Sequence, residues 1–244
     1  MTVFLTSHIG GYIRKDGQRI PSSLITDNGL IENLQKRWPS EAKVLFVAAD
    51  PDDVEKAESY REAYRYAFPF HGMPVASYEI CDNRNRAAVE CLNDYDVVIL
   101  SGGHVPTQNR FFQEIGLKEK MAAYRGLLIG ISAGTMNCAE LVYAHPELEG
   151  EAIDPGYQRF IPGLGLTKCM ILPHYQSIKE DTLDGLRVFE DIAYPDSVGR
   201  EFYALNDGSY VISENGVETL YGEAYRIKDG RMAQICSNNE SCVL

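Results

Sequence analysis

Short apolar runs separated by longer amphipathic stretches recur along the first 180 residues of the chain. The clearest run, KVLFVAA at residues 43–49, is typical of a strand buried on both faces of a parallel sheet. The same pattern predicts strands at 3–7, 75–80, 96–100, 126–131 and 169–172. It predicts helices at 24–37, from the acidic segment 50–53 to about 67, at 84–92, at about 107–116, from 135 onward, and at about 179–189.

This alternation of strand and helix predicts an α/β fold, a mostly parallel sheet flanked by helices on both faces. The pattern changes after residue 204, where short alternating segments are separated by Asn-Asp-Gly, Glu-Asn-Gly and Lys-Asp-Gly. These are hairpin turn signals. The carboxyl end is therefore predicted to be antiparallel and to extend the same sheet, so that residues 1–244 form a single domain.

Composition narrows the function classes. The chain is 45% hydrophobic and 24% charged, which is ordinary for a globular protein, and its net charge is −12. Such an acidic balance disfavours nucleic acids and anionic membranes as partners, because both require Lys and Arg to neutralise phosphates. No apolar run is long enough for a membrane helix, the start lacks the basic flank of a secretory signal, and the six cysteines show no ligand spacing. We expect a cytoplasmic protein without metal or cofactor, and the sequence leaves open a homodimer.

The strongest chemical signal is the pentapeptide Gly-Ile-Ser132-Ala-Gly134, which closes an apolar strand and opens a helix. This is the context that a G-x-S-x-G nucleophile elbow requires. The sharp turn lifts the serine Oγ out of the sheet, and the helix N-terminus offers N–H groups to a developing oxyanion. The alternative is a simple glycine-rich turn, or one that holds a phosphate. We favour Ser132 as a nucleophile.

A serine nucleophile needs a base, and the chain has only five histidines. His174 follows the strand at 169–172, and the carboxyl ends of parallel strands meet at one edge of the sheet. We therefore predict His174 as the base. His8 also ends a strand but is interpreted as structural, and His104 is expected to line the site without acting as base.

The orienting carboxylate is sought between Ser132 and His174, in the acidic segment 146–155. Most of its acids are expected to be solvated, with at most one facing the histidine. Gly102 and Gly103, which follow the strand at 96–100, are predicted to provide an oxyanion donor, because a glycine N–H can approach the substrate closely. An α/β-hydrolase-like esterase also has the elbow, but its histidine normally comes late in the chain, whereas no histidine follows His174 here.

The chain resembles the dipeptidase E and cyanophycinase family of serine peptidases in four motifs, in their order and in their spacing. These motifs are Leu-Ser-Gly-Gly at 100–103, the elbow at 130–134, Ile-Pro-Gly-Leu-Gly-Leu at 161–166 and Pro-His-Tyr at 173–175. The resemblance covers about residues 40–180. It implies a fold similar to class I glutamine amidotransferases, which is flavodoxin-like, with serine in place of their elbow cysteine.

The resemblance also implies roles for single residues. Ser132 would be the nucleophile, His174 the base, and Ala133 with Gly102 or Gly103 the oxyanion donors. Aligning the apolar pair that follows the acid places Glu151 in the third catalytic role, with Glu147, Glu149 and Asp154 as alternatives.

The family's dipeptidases hydrolyse amino-terminal aspartyl dipeptides and its cyanophycinases cut an aspartate–arginine polymer. The expected function is therefore hydrolysis of small peptides, above all Asp-Xaa dipeptides. The alternative is a non-catalytic binding protein of the same fold. A basic residue that recognises the aspartyl group is expected, but no particular Arg or Lys can be identified from the sequence.

Overall fold

The structure is a computed structural model that describes all 244 residues. Its strands are β1 Thr2–Thr6, β2 Gly10–Lys15, β3 Gln18–Leu24, β4 Ala42–Val47, β5 Val75–Cys81, β6 Val97–Leu100, β7 Leu127–Ile131, β8 Leu141–Tyr143, β9 Phe160–Pro162, β10 Met170–Leu172, β11 Thr182–Leu183, β12 Leu186–Arg187, β13 Glu201–Leu205, β14 Tyr210–Glu214, β15 Val217–Tyr221, β16 Ala224–Lys228, β17 Arg231–Cys236 and β18 Ser241–Val243.

Its α-helices are α1 Leu30–Gln35, α2 Val54–Phe70, α3 Val105–Glu114, α4 Leu117–Met121, α5 Ala133–Met136, α6 Tyr175–Ile178 and α7 Tyr194–Asp196. Short 3₁₀ segments occupy Asp27–Gly29 and Arg86–Asp94, and a π-helical turn occupies Val188–Ala193. No helix is both long and apolar enough to span a lipid bilayer.

The central sheet has eight strands in the order β18-β15-β14-β1-β7-β6-β4-β5. The five strands from β1 to β5 in this order are parallel, and the other three are antiparallel. Alternate residues of each strand enter two cores: Leu45 packs with α3 and α4, whereas Phe46 packs with α1 and α2. The predicted α/β fold with helices on both faces is confirmed.

The prediction for the carboxyl end is only partly right. Strands β14, β15 and β18 extend the central sheet, and Asn215-Gly216 forms a predicted hairpin turn. Strands β13, β16 and β17 instead join β10 in a second sheet of four strands. The turn after Leu205 is therefore not a hairpin within one sheet, because it carries the chain from the second sheet to the central one.

One predicted helix is wrong and another is shorter than predicted. The one at 179–189 is replaced by the small hairpin of β11 and β12, because Asp184 and Gly185 both adopt left-handed backbone conformations (φ 54° and 80°). Such a pair forms a tight hairpin turn and stops a helix. The helix predicted over 24–37 begins only at Leu30, since its first residue ends the β2–β3 hairpin, which the sequence did not predict.

A buried histidine affects the stability of the fold. His145 is 5% exposed and its ring packs edge-on against Tyr143, with centroids 5.8 Å apart. Burial lowers the pKa of His145 to about 4. The imidazole therefore stays neutral in the folded protein at pH values where an exposed histidine would be protonated.

We expect His145 to make the fold sensitive to acid. Below about pH 6.5 the unfolded chain binds a proton at this position that the folded chain refuses, so stability falls as the pH drops toward 4. Between pH 7.5 and 5.0, His145 is expected to lower the free energy of unfolding by roughly 2 kcal/mol. Urea unfolding at both pH values should show that His145→Asn removes this share of the pH dependence of the free energy of unfolding. An unchanged pH dependence in His145→Asn would contradict the assignment.

Candidate active site

Ser132 lies between the end of β7 and the start of α5, in a strained backbone conformation with φ 52° and ψ −114°. Positive φ is uncommon for a residue with a side chain and requires support from its surroundings. The Ser132 N–H donates to the carbonyl of Thr6 at 3.1 Å, and the Gly134 N–H donates to the carbonyl of Ser101 at 3.1 Å. The turn is thus fixed to both neighbouring strands, as a nucleophile elbow requires.

Gly134 is required by close packing. A Cβ at this position would lie 2.3 Å from the carbonyl oxygen of Leu100, on the neighbouring strand β6. Any side chain would therefore push α5 away from the sheet. The second glycine of the motif allows the first turn of α5, and with it Ser132, to rest directly on the edge of β6.

His174 reaches Ser132 from the loop that follows β10. Its backbone is left-handed (φ 61°) and its N–H donates to Ser7 Oγ at 2.8 Å, which fixes the residue to the end of β1. The ring Nε2 lies 2.9 Å from Ser132 Oγ. The structure thus brings together the two residues that the sequence singled out, 42 positions apart.

The carboxylate that contacts His174 is that of Asp207, in the turn between β13 and β14. Asp207 Oδ1 lies 2.7 Å from His174 Nδ1 and accepts a second bond from Ser7 Oγ at 2.7 Å. An ionised carboxylate only accepts, so Nδ1 carries the proton and Nε2 is free to accept from Ser132. Burial acts to raise the pKa of Asp207, but the hydrogen bonds from His174 and Ser7 prevail and leave this pKa below its ordinary value.

The prediction that Glu151 would contact His174 is wrong. Glu151 Oε1 lies 2.9 Å from His104 Nε2, and Oε2 accepts the backbone N–H groups of Glu147 and Leu148 at 2.9 and 3.0 Å. These bonds fasten the acidic segment to the start of α3 and occupy both carboxylate oxygens.

The other acids that the sequence left open do not reach the histidine either. Asp154 accepts the Gly156 N–H at 2.8 Å, and Glu147 and Glu149 are exposed. None of these three carboxylates hydrogen-bonds His174.

Gly102 and Gly103 pass directly beside the serine. A Cβ on Gly102 would lie 3.3 Å from Ser132 Cβ, and one on Gly103 would lie 2.4 Å from Ala49 Cβ, so Gly103 has no room for a side chain. Ala133 is the first residue of α5, and N–H groups in the first turn of a helix have no partner within it. Gly102 and Gly103 line the same cleft as Ser132, and Ala133 follows Ser132 directly in the chain.

Ser132 and His174 open into a cleft of about 470 Å³, which is the size of a small-molecule site. His8 lines this cleft, with its ring centroid 6.2 Å from that of His174, so its predicted purely structural role is too narrow. Its Nδ1 accepts the Gly10 N–H at 2.6 Å. Because Nδ1 accepts this bond, the proton of the ring is on Nε2, which lies 3.3 Å from Tyr12 OH, and burial lowers the pKa of His8.

The cleft also contains three cations that sequence reasoning did not identify. Arg14, Arg19 and Lys56 line the same cleft as Ser132 and His174. The two arginines belong to the β2–β3 hairpin, and the lysine lies in the first turn of α2. The structure contains no group of three or more His, Cys, Asp or Glu side chains arranged to bind a metal ion.

Comparison with known proteins identifies the family of the chain and a structure with a similar fold. The model of peptidase family S51 matches residues 23–220, which include Ser132, His174 and Asp207. No curated protein matches the chain in sequence. A 1.5 Å crystal structure of a protein provisionally named peptidase E, from Listeria monocytogenes EGD-e, is similar in fold, with a TM-score of 0.58 and 15% identity over 96% of this chain and 98% of that one.

At this identity the Listeria structure supports the fold alone, whereas the family match covers most of the chain. The family match excludes the alternative of an α/β-hydrolase-like esterase. The chain belongs to peptidase family S51, and it is a serine peptidase with a peptidase E-like fold.

Proposed function

We propose that the protein hydrolyses small peptides with Ser132 as nucleophile, His174 as general base and Asp207 as the carboxylate that orients the base. The observation that carries this proposal is the unbroken series of hydrogen bonds from Ser132 Oγ to His174 Nε2 at 2.9 Å and from His174 Nδ1 to Asp207 at 2.7 Å. This is the geometry of a serine hydrolase triad, and its carboxylate, Asp207, comes after His174 in the sequence.

The proposed reaction proceeds in two steps. His174 removes the proton of Ser132 as Oγ attacks the peptide carbonyl, and the imidazolium that forms is stabilised by Asp207. The amides of Ala133 and of Gly102 or Gly103 hold the oxyanion, and His174 then returns the proton to the leaving amine. Water hydrolyses the acyl-enzyme by the same route in reverse, with His174 again acting as the base.

Aspartyl dipeptides are the proposed substrates. The family resemblance suggests them, and the positive charge on the wall of the serine cleft supports a negatively charged substrate. The cytoplasm remains the proposed compartment, and the six free cysteine thiols are in keeping with it.

Two measurements test this function. A fluorophosphonate should label the protein at Ser132, and a dipeptide panel with Asp, Glu, Asn or Ala as first residue should show hydrolysis with Asp preferred. Heat-denatured protein is the control for labelling. Absence of label on the folded protein would favour a non-catalytic binding function instead, and labelling with equal hydrolysis of all four dipeptides would contradict the aspartyl preference alone.

A further inference from the structure

The three cations of the cleft have no acidic partner. Eight other Lys and Arg residues form ion pairs with carboxylates, but Arg14, Arg19 and Lys56 form none. Other Lys and Arg residues are unpaired as well, but these three line one cleft, in a chain with 35 acidic and 23 basic residues. None of the eleven residues that line the cleft is Asp or Glu.

Arg19 is held rigidly by neutral groups only. Its guanidinium lies over the ring of Tyr60 at 4.1 Å from the centroid and near that of Tyr12 at 5.1 Å. It donates to Ser59 Oγ and to Tyr60 OH, each at 3.2 Å, and its Nε is buried with no hydrogen-bond partner. The rings and hydroxyls orient the positive charge without neutralising it, so the guanidinium is pre-organised for an anion.

The backbone places the other two charges close to Arg19 and to the serine. Arg14 and Arg19 are directly opposite each other in the β2–β3 register, where like charges repel. Lys56 Nζ lies 4.0 Å from the position of a Cβ on Gly103, and so next to the proposed oxyanion amides. A bound anion would relieve the repulsion between these charges and would lie in the same cleft as Ser132.

We propose that Arg19, Lys56 and Arg14 form a subsite that binds a carboxylate of the substrate, with Arg19 as the main contact. The proposal rests on the proposed function, because it places the carboxylate beside the bond that Ser132 attacks. Arg19 can bind a carboxylate with two parallel N–H donors, whereas Lys56 acts as a point charge. The carboxylate can come from an acidic side chain or from the carboxyl terminus of a dipeptide.

Matched substrates separate these two sources. Asp-Ala and Asn-Ala differ only in the side-chain carboxylate, and Asp-Ala and its carboxyl-terminal amide differ only in the terminal one. We expect Arg19→Met to lower kcat/KM about 10- to 100-fold, mainly through KM, on substrates that carry the recognised carboxylate. On the matched substrate without that carboxylate, kcat/KM of Arg19→Met should differ from that of the parent protein by less than about threefold. This substrate has no carboxylate for Arg19 to bind.

Three further variants complete the design. Arg19→Lys, which keeps the charge but loses the paired donors, should recover part of the loss. Lys56→Met should show the same substrate dependence with a smaller loss, and Arg65→Met, which removes an exposed cation of α2 that does not line the cleft, should show no loss. An equal loss of Arg19→Met on all substrates would indicate that Arg19 only supports the Tyr12–Tyr60 packing, and would overturn the proposal.

Labelling distinguishes failure of the subsite from failure of the proposed function. L-aspartate should slow the reaction of Ser132 with a fluorophosphonate in the parent protein but not in Arg19→Met, and L-asparagine should protect less than aspartate if the side-chain carboxylate is the one recognised. If Ser132 is not labelled at all, the proposed function fails. If it is labelled and carboxylates neither protect it nor affect kcat/KM, the carboxylate subsite alone is wrong.

Discussion

Replacing Ser132 with alanine is expected to lower kcat by roughly 10⁵- to 10⁶-fold while leaving the fold intact. The hydroxyl is the proposed nucleophile, and its hydrogen-bond partner is His174. Alanine keeps the Cβ, so the strained backbone at φ 52° is neither relieved nor worsened. The measurement is kcat on the best dipeptide, together with the urea unfolding midpoint. Ser177→Ala, an exposed serine on α6, is the matched control and should keep full activity.

The double variant tests whether the two residues act together. His174→Ala should lose nearly as much activity as Ser132→Ala, and the double variant little more, because the members of a triad act as a unit. Losses that multiply in the double variant would show that the two residues work independently. A Ser132→Ala protein that retains even a tenth of the activity would rule out Ser132 as nucleophile.

The sequence predicted the parallel strands well and the short hairpins poorly, for a physical reason. A strand covered by helices on both faces is a continuous apolar run, as in β4, and such a run is visible without knowledge of its neighbours. The β2–β3 hairpin is mostly exposed and includes Pro21, so it has little apolar pattern to detect. Its two arginines acquire their position only when the hairpin packs on α2, which is why the cations of the cleft were missed.

Some residues of the candidate site can likewise be predicted from local sequence, and others cannot. Ser132 has a local motif and His174 follows a buried strand, so both can be found from the residues around them. Asp207 lies 33 positions beyond His174, in an Asn-Asp-Gly sequence that looks like any hairpin turn. It reaches the histidine because β14 pairs with β1 and places the turn beside Ser7. That pairing is a property of the topology, and no local pattern around residue 207 indicates it.

Asp207→Asn is the second substitution from which a large loss is expected, up to about 10⁴-fold in kcat. The amide keeps the shape of the carboxylate but lacks its charge, and it can present its NH₂ to Nδ1 and so favour the wrong tautomer of His174. Glu151→Gln, at the other carboxylate–histidine contact of the site, should change kcat much less, because Glu151 bonds His104 and not the base.

The comparison of these two variants decides which acid serves the histidine. Both remove one negative charge and retain the size of the side chain, so a general electrostatic effect on the cleft would lower kcat similarly in each. A contact specific to His174 predicts a large loss in Asp207→Asn alone, with its urea unfolding midpoint recorded because Asp207 also bonds Ser7. A large loss in Glu151→Gln with little change in Asp207→Asn would overturn the assignment and restore the sequence-based one. Small losses in both would mean that Ser132 and His174 work as a dyad.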